Sequence, residues 1–265
     1  MVAVVEVAIT RDVALSIAQC ELTFVDRVVI DFERAALQHA AYCERLEALG
    51  IEVIRLRPDE QCPDCCFVED TAVVLDEVAV LTNMGSPARR AESTAMGVEL
   101  GRHCGGSRRL QCLEAPATLD GGDVLVMGRQ IFVGQTTRTN LAGLEGLRRF
   151  TVPWGYEVVP LSVSGCLHLK SAVSAVDDET LLANSGWVDL SGLSRRFRIV
   201  DVDFREPGAA NVLSVRGEVW AHPGFPRTFE RLQTLGHEVV PLDISEFVKA
   251  EGALTCKSVL FRRQT

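Results

Sequence analysis

The chain has 265 residues, 47% of them hydrophobic and 24% charged, with a net charge of −9. That is the makeup of a soluble globular protein with room for one large domain or two small ones. The acidic balance speaks against nucleic acid, which rewards stripes of lysine and arginine, and no apolar run approaches the roughly 18–20 residues that cross a membrane. The start, "MVAVVEVAITRDVAL", carries Glu6, Arg11 and Asp12 too early for a signal peptide. The nine cysteines are an odd number that cannot pair completely within the chain, and they are expected as thiols in a reducing cytoplasm.

In chain order, the first predicted unit is loose: a strand at 3–9, a helix from about Asp31 to Leu49 stopped by Gly50, then the strand "EVIRL". "CPDCC" at 62–66 contains a C-x-x-C. A redox pair of that kind opens a helix, but "FVEDTAVVL" reads as a strand, and Cys104 and Cys112 lie too far apart to complete a zinc site. A pattern then recurs. "TAVVLDEVAVLTNMGSPARR" (71–90) is an apolar run, a turn, a second apolar run and a helix start, with Ser86-Pro87 as cap and first helical residue and Gly101 near the end. "GDVLVMGRQIFVGQTTRTN" (122–140) turns at Gly128-Arg129. "SAVSAVDDETLLANSG" (171–186) turns at Asp177-Asp178, and "NVLSVRGEVWAHPGFPRT" (211–228) turns at Arg216-Gly217, with Pro226 opening a helix that ends at Gly236. Strand-like runs follow: "RRLQCL", "YEVVPLSV", "RIVDVDF" and "HEVVPLDI".

Equivalent hairpins recur every 40–50 residues or so, which signals radial or stacked repetition. Four to five strand–strand–helix–strand units without linkers predict one α/β propeller domain spanning 1–265. The last strand, "GALTCKSVLF" (252–261), would close the ring beside the first unit and hide the sheet edges. Hairpins alternating with helices do not fit a doubly wound sheet.

The centre of such a ring gathers polar residues from distant units. Cys256, followed by Lys257, lies in the apolar closing strand; it is either a small core residue or a nucleophile. His168, between two leucines at a strand entry, is the best placed of the five histidines to act as a base. Asp120 and Asp123 flank a Gly pair, which turn chemistry explains, though a carboxylate there can also orient an imidazole. Because a strand follows, the pair is not a dinucleotide loop. Glu69 and Asp70 head a buried strand, so alternation turns one of them inward, where a guanidinium is its natural partner. Arg89 and Arg138 occupy matching places after two hairpins, either as solvated charges or as a clamp on a substrate carboxylate.

Together, "PDCCFVEDTAVV", "ATLDGGDVLVMGRQIFVGQTTRTN", "LHLKS" and "LTCKSVLF" resemble the dimethylarginine dimethylaminohydrolases of the guanidino-group-modifying (pentein) superfamily, from about "CELT" near residue 20 to the C-terminus. The chain departs from that pattern at Asn83-Met84, where the family carries Arg-Pro, and has Asp120 where Glu is equally familiar. The resemblance implies a five-fold pseudosymmetric α/β propeller of ββαβ-type units. It implies Cys256 as nucleophile, His168 as general acid/base and Asp120 as its orienting carboxylate. It further implies Asp70 and Glu69 on the guanidinium, Arg89 and Arg138 on the α-carboxylate, and Asp64, the Leu22 carbonyl and the backbone near Ala250 around the rest of the substrate. The implied reaction is hydrolysis of methylated arginine to citrulline and (di)methylamine through a Cys-bound thiouronium, with no metal or organic cofactor. The partner is a small molecule, with no nucleic acid or membrane, and a homodimer is left open. The competing readings are an arginine deiminase, whose second aspartate after the histidine is here Lys170, and a non-catalytic propeller binding module.

Overall fold

The computed structural model describes residues 4–104 and 108–264; Ala3, placed in the first strand by the sequence pattern, lies outside them. The first unit supplies β1 (Val4–Arg11), α1 (Phe32–Ala48) and β2 (Glu52–Leu56). The second comprises β3 (Ala72–Val74), β4 (Val78–Leu81), α2 (Glu92–His103) and β5 (Arg109–Cys112), and the third β6 (Val124–Met127), β7 (Gln130–Gln135), α3 (Leu141–Thr151) and β8 (Glu157–Ser162). The fourth begins with the single-turn α4 (Leu169–Ala172) and continues through β9 (Val173–Ala175), β10 (Thr180–Ala183) and β11 (Arg198–Asp201). The fifth comprises β12 (Leu213–Val215), β13 (Glu218–Ala221), α5 (Pro226–Thr234) and β14 (Glu238–Pro241). A short α6 (Ser245–Val248) and β15 (Val259–Gln264) finish the chain.

The strands form five three-stranded sheets, each with an antiparallel hairpin and a third strand parallel to its centre. In the first sheet the hairpin partner of β1 is β15, brought from the other end of the chain, with Val7 opposite Phe261 and Ile9 opposite Val259. This is the closure the sequence predicts. It removes an open edge and buries these four apolar residues in one cluster between the first and second units.

Local signals explain most of the elements. The Asp31 side chain accepts the Arg34 N–H and caps α1, and Gly50 at φ 75° ends it. Gly128 and the Arg216-Gly217 pair carry the positive φ that their tight hairpins need. One expectation fails, while helices follow three of the four hairpins as the sequence predicts. Ser86-Pro87 opens a short 3-10 turn (Pro87–Arg89) rather than α2, because the Ser86 hydroxyl bonds Glu21 and Arg89 is drawn inward; α2 starts at Glu92. In the fourth unit β10 and β11 are joined by turns without a helix, and Leu193 with the half-buried Trp187 and Phe197 fills the core instead.

A short helical turn precedes the first strand of every sheet: Val68–Thr71, Gly121–Asp123, α4, Pro207–Ala210 and Thr255–Lys257. They gather at the hub of the ring. Closure through β15 should therefore dominate stability. Replacing Phe261 with Ala is expected to cost about 3–5 kcal/mol in urea unfolding, against under about 0.5 kcal/mol for its exposed neighbour Arg262→Ala. Equal effects would show that the closing pair carries no special weight.

Candidate active site

Cys256 sits on the 3-10 turn Thr255–Lys257 rather than inside a strand, since β15 begins only at Val259. The turn is pinned from both sides. The Thr255 N–H donates to Asn211 Oδ1 (3.1 Å), Asn211 Nδ2 donates to the Thr255 hydroxyl (3.0 Å), and that hydroxyl donates to Glu69 Oε2 (2.8 Å). Lys257 points away, fully buried, with its Nζ 3.1 Å from the Phe247 ring centroid; burial lowers its pKa to about 7.

His168 stands at the N-cap of α4, extended rather than in a strand. Its Nε2 pairs with Asp120 Oδ2 at 3.0 Å, and Asp120 Oδ1 accepts the Gly85 N–H at 2.8 Å. Nδ1 has no hydrogen-bond partner among the described residues. Asp123 fixes the turn: Oδ1 accepts the Leu169 N–H, and Oδ2 accepts the Thr136 and Thr139 hydroxyls. The sequence offered Asp123 beside Asp120; its work is structural.

Glu69 and Asp70 lie on the turn Val68–Thr71, so strand alternation does not govern them and both are buried. They diverge instead. Asp70 Oδ2 accepts Arg89 Nη1 (2.6 Å), Oδ1 accepts the Gly122 N–H (2.9 Å), and Oδ1 lies 3.8 Å from His168 Nε2. Glu69 Oε1 pairs with Lys170 Nζ (2.6 Å) and lines a separate cavity of about 260 Å³ among the first strands of the five sheets. Each of three hub turns thus sends one residue to either cavity: Asp70 and Glu69, His168 and Lys170, Cys256 and Thr255.

Cys256, His168, Asp70, Asp64, Arg89, Arg138 and Ala250 line one narrow cleft of about 20 Å³, with Glu21 and Glu251 on its wall. Asp120 supports it from behind, whereas Glu69 and Leu22 are not among its lining residues. Arg138 Nη1 is 3.3 Å from Glu21 Oε2, and Asp64 Oδ2 accepts the Glu21 N–H. Arg89 departs from the expected pure carboxylate clamp. Four of its five N–H donors are engaged inside the protein: Nε and Nη2 with Glu92, Nη2 also with the Phe67 carbonyl, and Nη1 with Asp70. The sequence reading missed Glu92, although its i,i+3 spacing from Arg89 was available as a signal.

These contacts set the charges. Burial alone would raise Asp70, but His168, Arg89 and the Gly122 N–H hold it at about 2. Burial alone would lower His168, but Asp70, the hydrogen bond to Asp120 and the Asp123 charge carry it up to about 9. Cys256 is pushed up to about 12 by burial and then by Glu69 and Asp70. The resting site therefore holds a thiol beside an imidazolium. Asp70, Asp120 and His168 lie within 4.8 Å of one another, close enough to hold a metal, but Arg89 already supplies the cationic counter-charge there. No helix among the described residues is long and apolar enough to cross a membrane.

A closed ring of five such sheets is the fold that the resemblance to the guanidino-group-modifying superfamily implies. A family profile described as N,N dimethylarginine dimethylhydrolase, eukaryotic, matches residues 25–182. The N(G),N(G)-dimethylarginine dimethylaminohydrolase of Streptomyces coelicolor is 41% identical over 96% of both chains, and that of Pseudomonas aeruginosa 30% identical over 87% of this chain and 90% of its own. A solved variant of the Pseudomonas aeruginosa enzyme complexed with citrulline superposes with a TM-score of 0.90 at 29% identity, covering 96% of this chain and 98% of that one. The chain belongs to the dimethylarginine dimethylaminohydrolase family. The N-terminal domain of an arginine dihydrolase from cyanobacteria, 18% identical at a TM-score of 0.86 over 96% of this chain and 97% of that one, shares the fold.

The Gly pair has a steric rather than a turn-forming purpose, since neither φ is positive. A Cβ on Gly121 would sit 2.0 Å from the Glu69 carbonyl oxygen, and one on Gly122 would sit 2.7 Å from His168 Nδ1 and 2.8 Å from Asp70 Oδ1. Gly122→Ala must displace the His168 imidazole or the Asp70 carboxylate. It should reduce kcat at least about 100-fold, the lower end of what a positioned acid/base contributes, while thermal unfolding still shows one cooperative transition. Retained kcat would mean that the imidazole does not need this close packing.

Proposed function

We propose that this chain hydrolyses Nω-methylated arginine at the guanidinium carbon, giving citrulline and methylamine or dimethylamine. The observation that carries the reading is the convergence of Cys256, His168 with Asp120 behind it, and Asp70 on one cleft, in a chain of this family. The relative solved with citrulline supports the same product.

The resting charges give the chemistry its order. A guanidinium resists water because it is resonance-stabilised and stays protonated. Seated on Asp70, it brings a positive charge next to the Cys256 thiol and favours the thiolate. The thiol proton leaves to solvent, since His168 is already protonated and Asp70 is paired. Sγ then attacks the guanidinium carbon, and the S–C bond forms. His168, protonated at neutral pH, gives its proton to the departing methylamine nitrogen as the C–N bond breaks. The thiouronium remains on Cys256. His168, now neutral, takes a proton from water; the oxygen bonds carbon, the S–C bond breaks, and citrulline and the thiol return.

At the head of the substrate, Arg138 would exchange Glu21 for the α-carboxylate, and Asp64 would exchange the Glu21 N–H for the α-ammonium. In the present arrangement the cleft has room for about one water, so binding requires that exchange. Around the reacting nitrogens Asp70 is the acidic partner. Lys170 stands where a deiminase has its second aspartate, and it engages Glu69 in the other cavity. A methylated nitrogen, which has lost N–H donors, leaves no buried carboxylate unpaired on that side; such a loss costs about 1–3 kcal/mol. Nine free thiols fit a reducing compartment such as the cytoplasm.

A citrulline colour assay with dimethylarginine, arginine and agmatine side by side tests the reading. Dimethylarginine should be preferred over arginine in kcat/KM by about 10–100-fold, and Cys256→Ser should abolish turnover. A clear preference for arginine would move the chain to the deiminase reading, and full activity of Cys256→Ser would remove the nucleophile.

A further inference from the structure

We propose that Glu92, which does not line the cleft, is a positioning residue that sets the charge preference of the guanidinium site through Arg89. The inference rests on the guanidinium-hydrolase reading above and deepens it.

Arg89 is 5% exposed and Glu92 2%. Glu92 holds one edge of the guanidinium fork in two bonds, Oε1 to Nε at 3.1 Å and Oε2 to Nη2 at 2.9 Å. The other side of the fork gives Nη1 to Asp70 at 2.6 Å. A planar fork gripped along one edge cannot swing, so Glu92 fixes where Arg89 meets Asp70 and hence which face of that carboxylate looks into the cleft.

The charge count matters equally. Asp70 and Arg89 alone form a neutral pair, which a cationic substrate would meet only as a dipole. With Glu92 ionised the three groups carry a net −1, buried where solvent screens little. The neighbouring charges are placed differently: Asp64 acts on Arg89 from a distance while accepting the Glu21 N–H, Arg138 faces Glu21, and Asp120 is matched by His168, so Glu92 is the second carboxylate bonded to the Arg89 fork beside Asp70. Glu92 is also the first residue of α2, where an anion favours the helix dipole, so a purely structural role must be separated from the electrostatic one.

The separation uses a cation and its neutral counterpart. Calorimetric Kd values for dimethylarginine and for citrulline are compared at pH 8.5 in Cys256→Ser and in Cys256→Ser with Glu92→Gln. Catalysis is not needed, and the pH lies above the value of about 7 to which burial pushes Glu92. The expected result is a roughly tenfold weaker dimethylarginine Kd with the citrulline Kd changed less than about twofold, the size of one buried charge acting across the site. Glu92→Asp keeps the charge but draws it back by a methylene; it should weaken dimethylarginine about two- to threefold, and it carries the test if Glu92→Gln does not fold. Equal losses for both ligands, or no change in either, would overturn the inference. Turnover of dimethylarginine by the unsubstituted chain reports separately on the reading beneath it: selective binding without turnover would sink that reading alone, and binding of neither ligand would sink both.

Discussion

The carboxylate of Asp70 is the group on which the rest of the site depends. A buried anion is expensive unless it is paired and hydrogen-bonded. Here Arg89, the Gly122 N–H and His168 share that task from three different units of the ring. Each partner is constrained in return. Arg89 must be buried and held by Glu92, Gly122 can have no side chain, and His168 is kept charged well above the usual histidine range. Burial, and then Glu69 with Asp70, oppose ionisation of Cys256. In the proposed reaction, a guanidinium seated on Asp70 would offset that opposition, so that binding and formation of the thiolate are coupled.

The ring makes this convergence possible. No single sheet could bring residues 70, 120, 168 and 256 together, but five short turns leading into five first strands all meet at one hub. Closure by β15 delivers Cys256 to a place defined by the second and fifth units, through Glu69 and the Asn211–Thr255 clasp. Because adjacent residues on the turns diverge, the hub separates two cavities with opposed roles. Asp70, His168 and Cys256 face the cleft, while in the second cavity Lys170 pairs with Glu69 and the Thr255 hydroxyl donates to it. Lys170 holds Glu69 in the second cavity, away from the cleft.

The parts legible in the sequence were those with a period or a steric rule. Alternating hairpins, Gly128, the Arg216-Gly217 turn, the Asp31 cap and the closing strand all carry local signatures. The hub turns do not. Three or four residues in a 3-10 conformation leave no periodic trace, so Glu69 and Asp70 looked like strand residues forced to alternate, and Cys256 and His168 looked like parts of strands. Ser86-Pro87 is a sound capping signal that lost to a tertiary demand, the burial of Arg89. The fourth unit lacks a helix where Ser185-Gly186 and Ser191-Gly192 break the segment, and Trp187, Leu193 and Phe197 pack there instead. The identities of Cys256, His168, Asp120 and Asp70 were legible as a set through family resemblance; the partners that tune them, Glu92, Asp123 and Asn211, are fixed by contacts between distant segments.

The central claim is that Cys256 is a thiol in the unliganded protein because burial, and then Glu69 and Asp70, oppose its charge. The direct measurement is the rate of Cys256 alkylation by iodoacetamide in the unliganded protein from pH 6 to 10, followed by mass spectrometry of the peptide that contains it. The account predicts a rate that climbs with pH across the whole range without a plateau, since a thiol titrating near 12 is still mostly protonated at pH 10. A plateau reached below about pH 8 would mean a preformed thiolate and would contradict activation by the substrate cation.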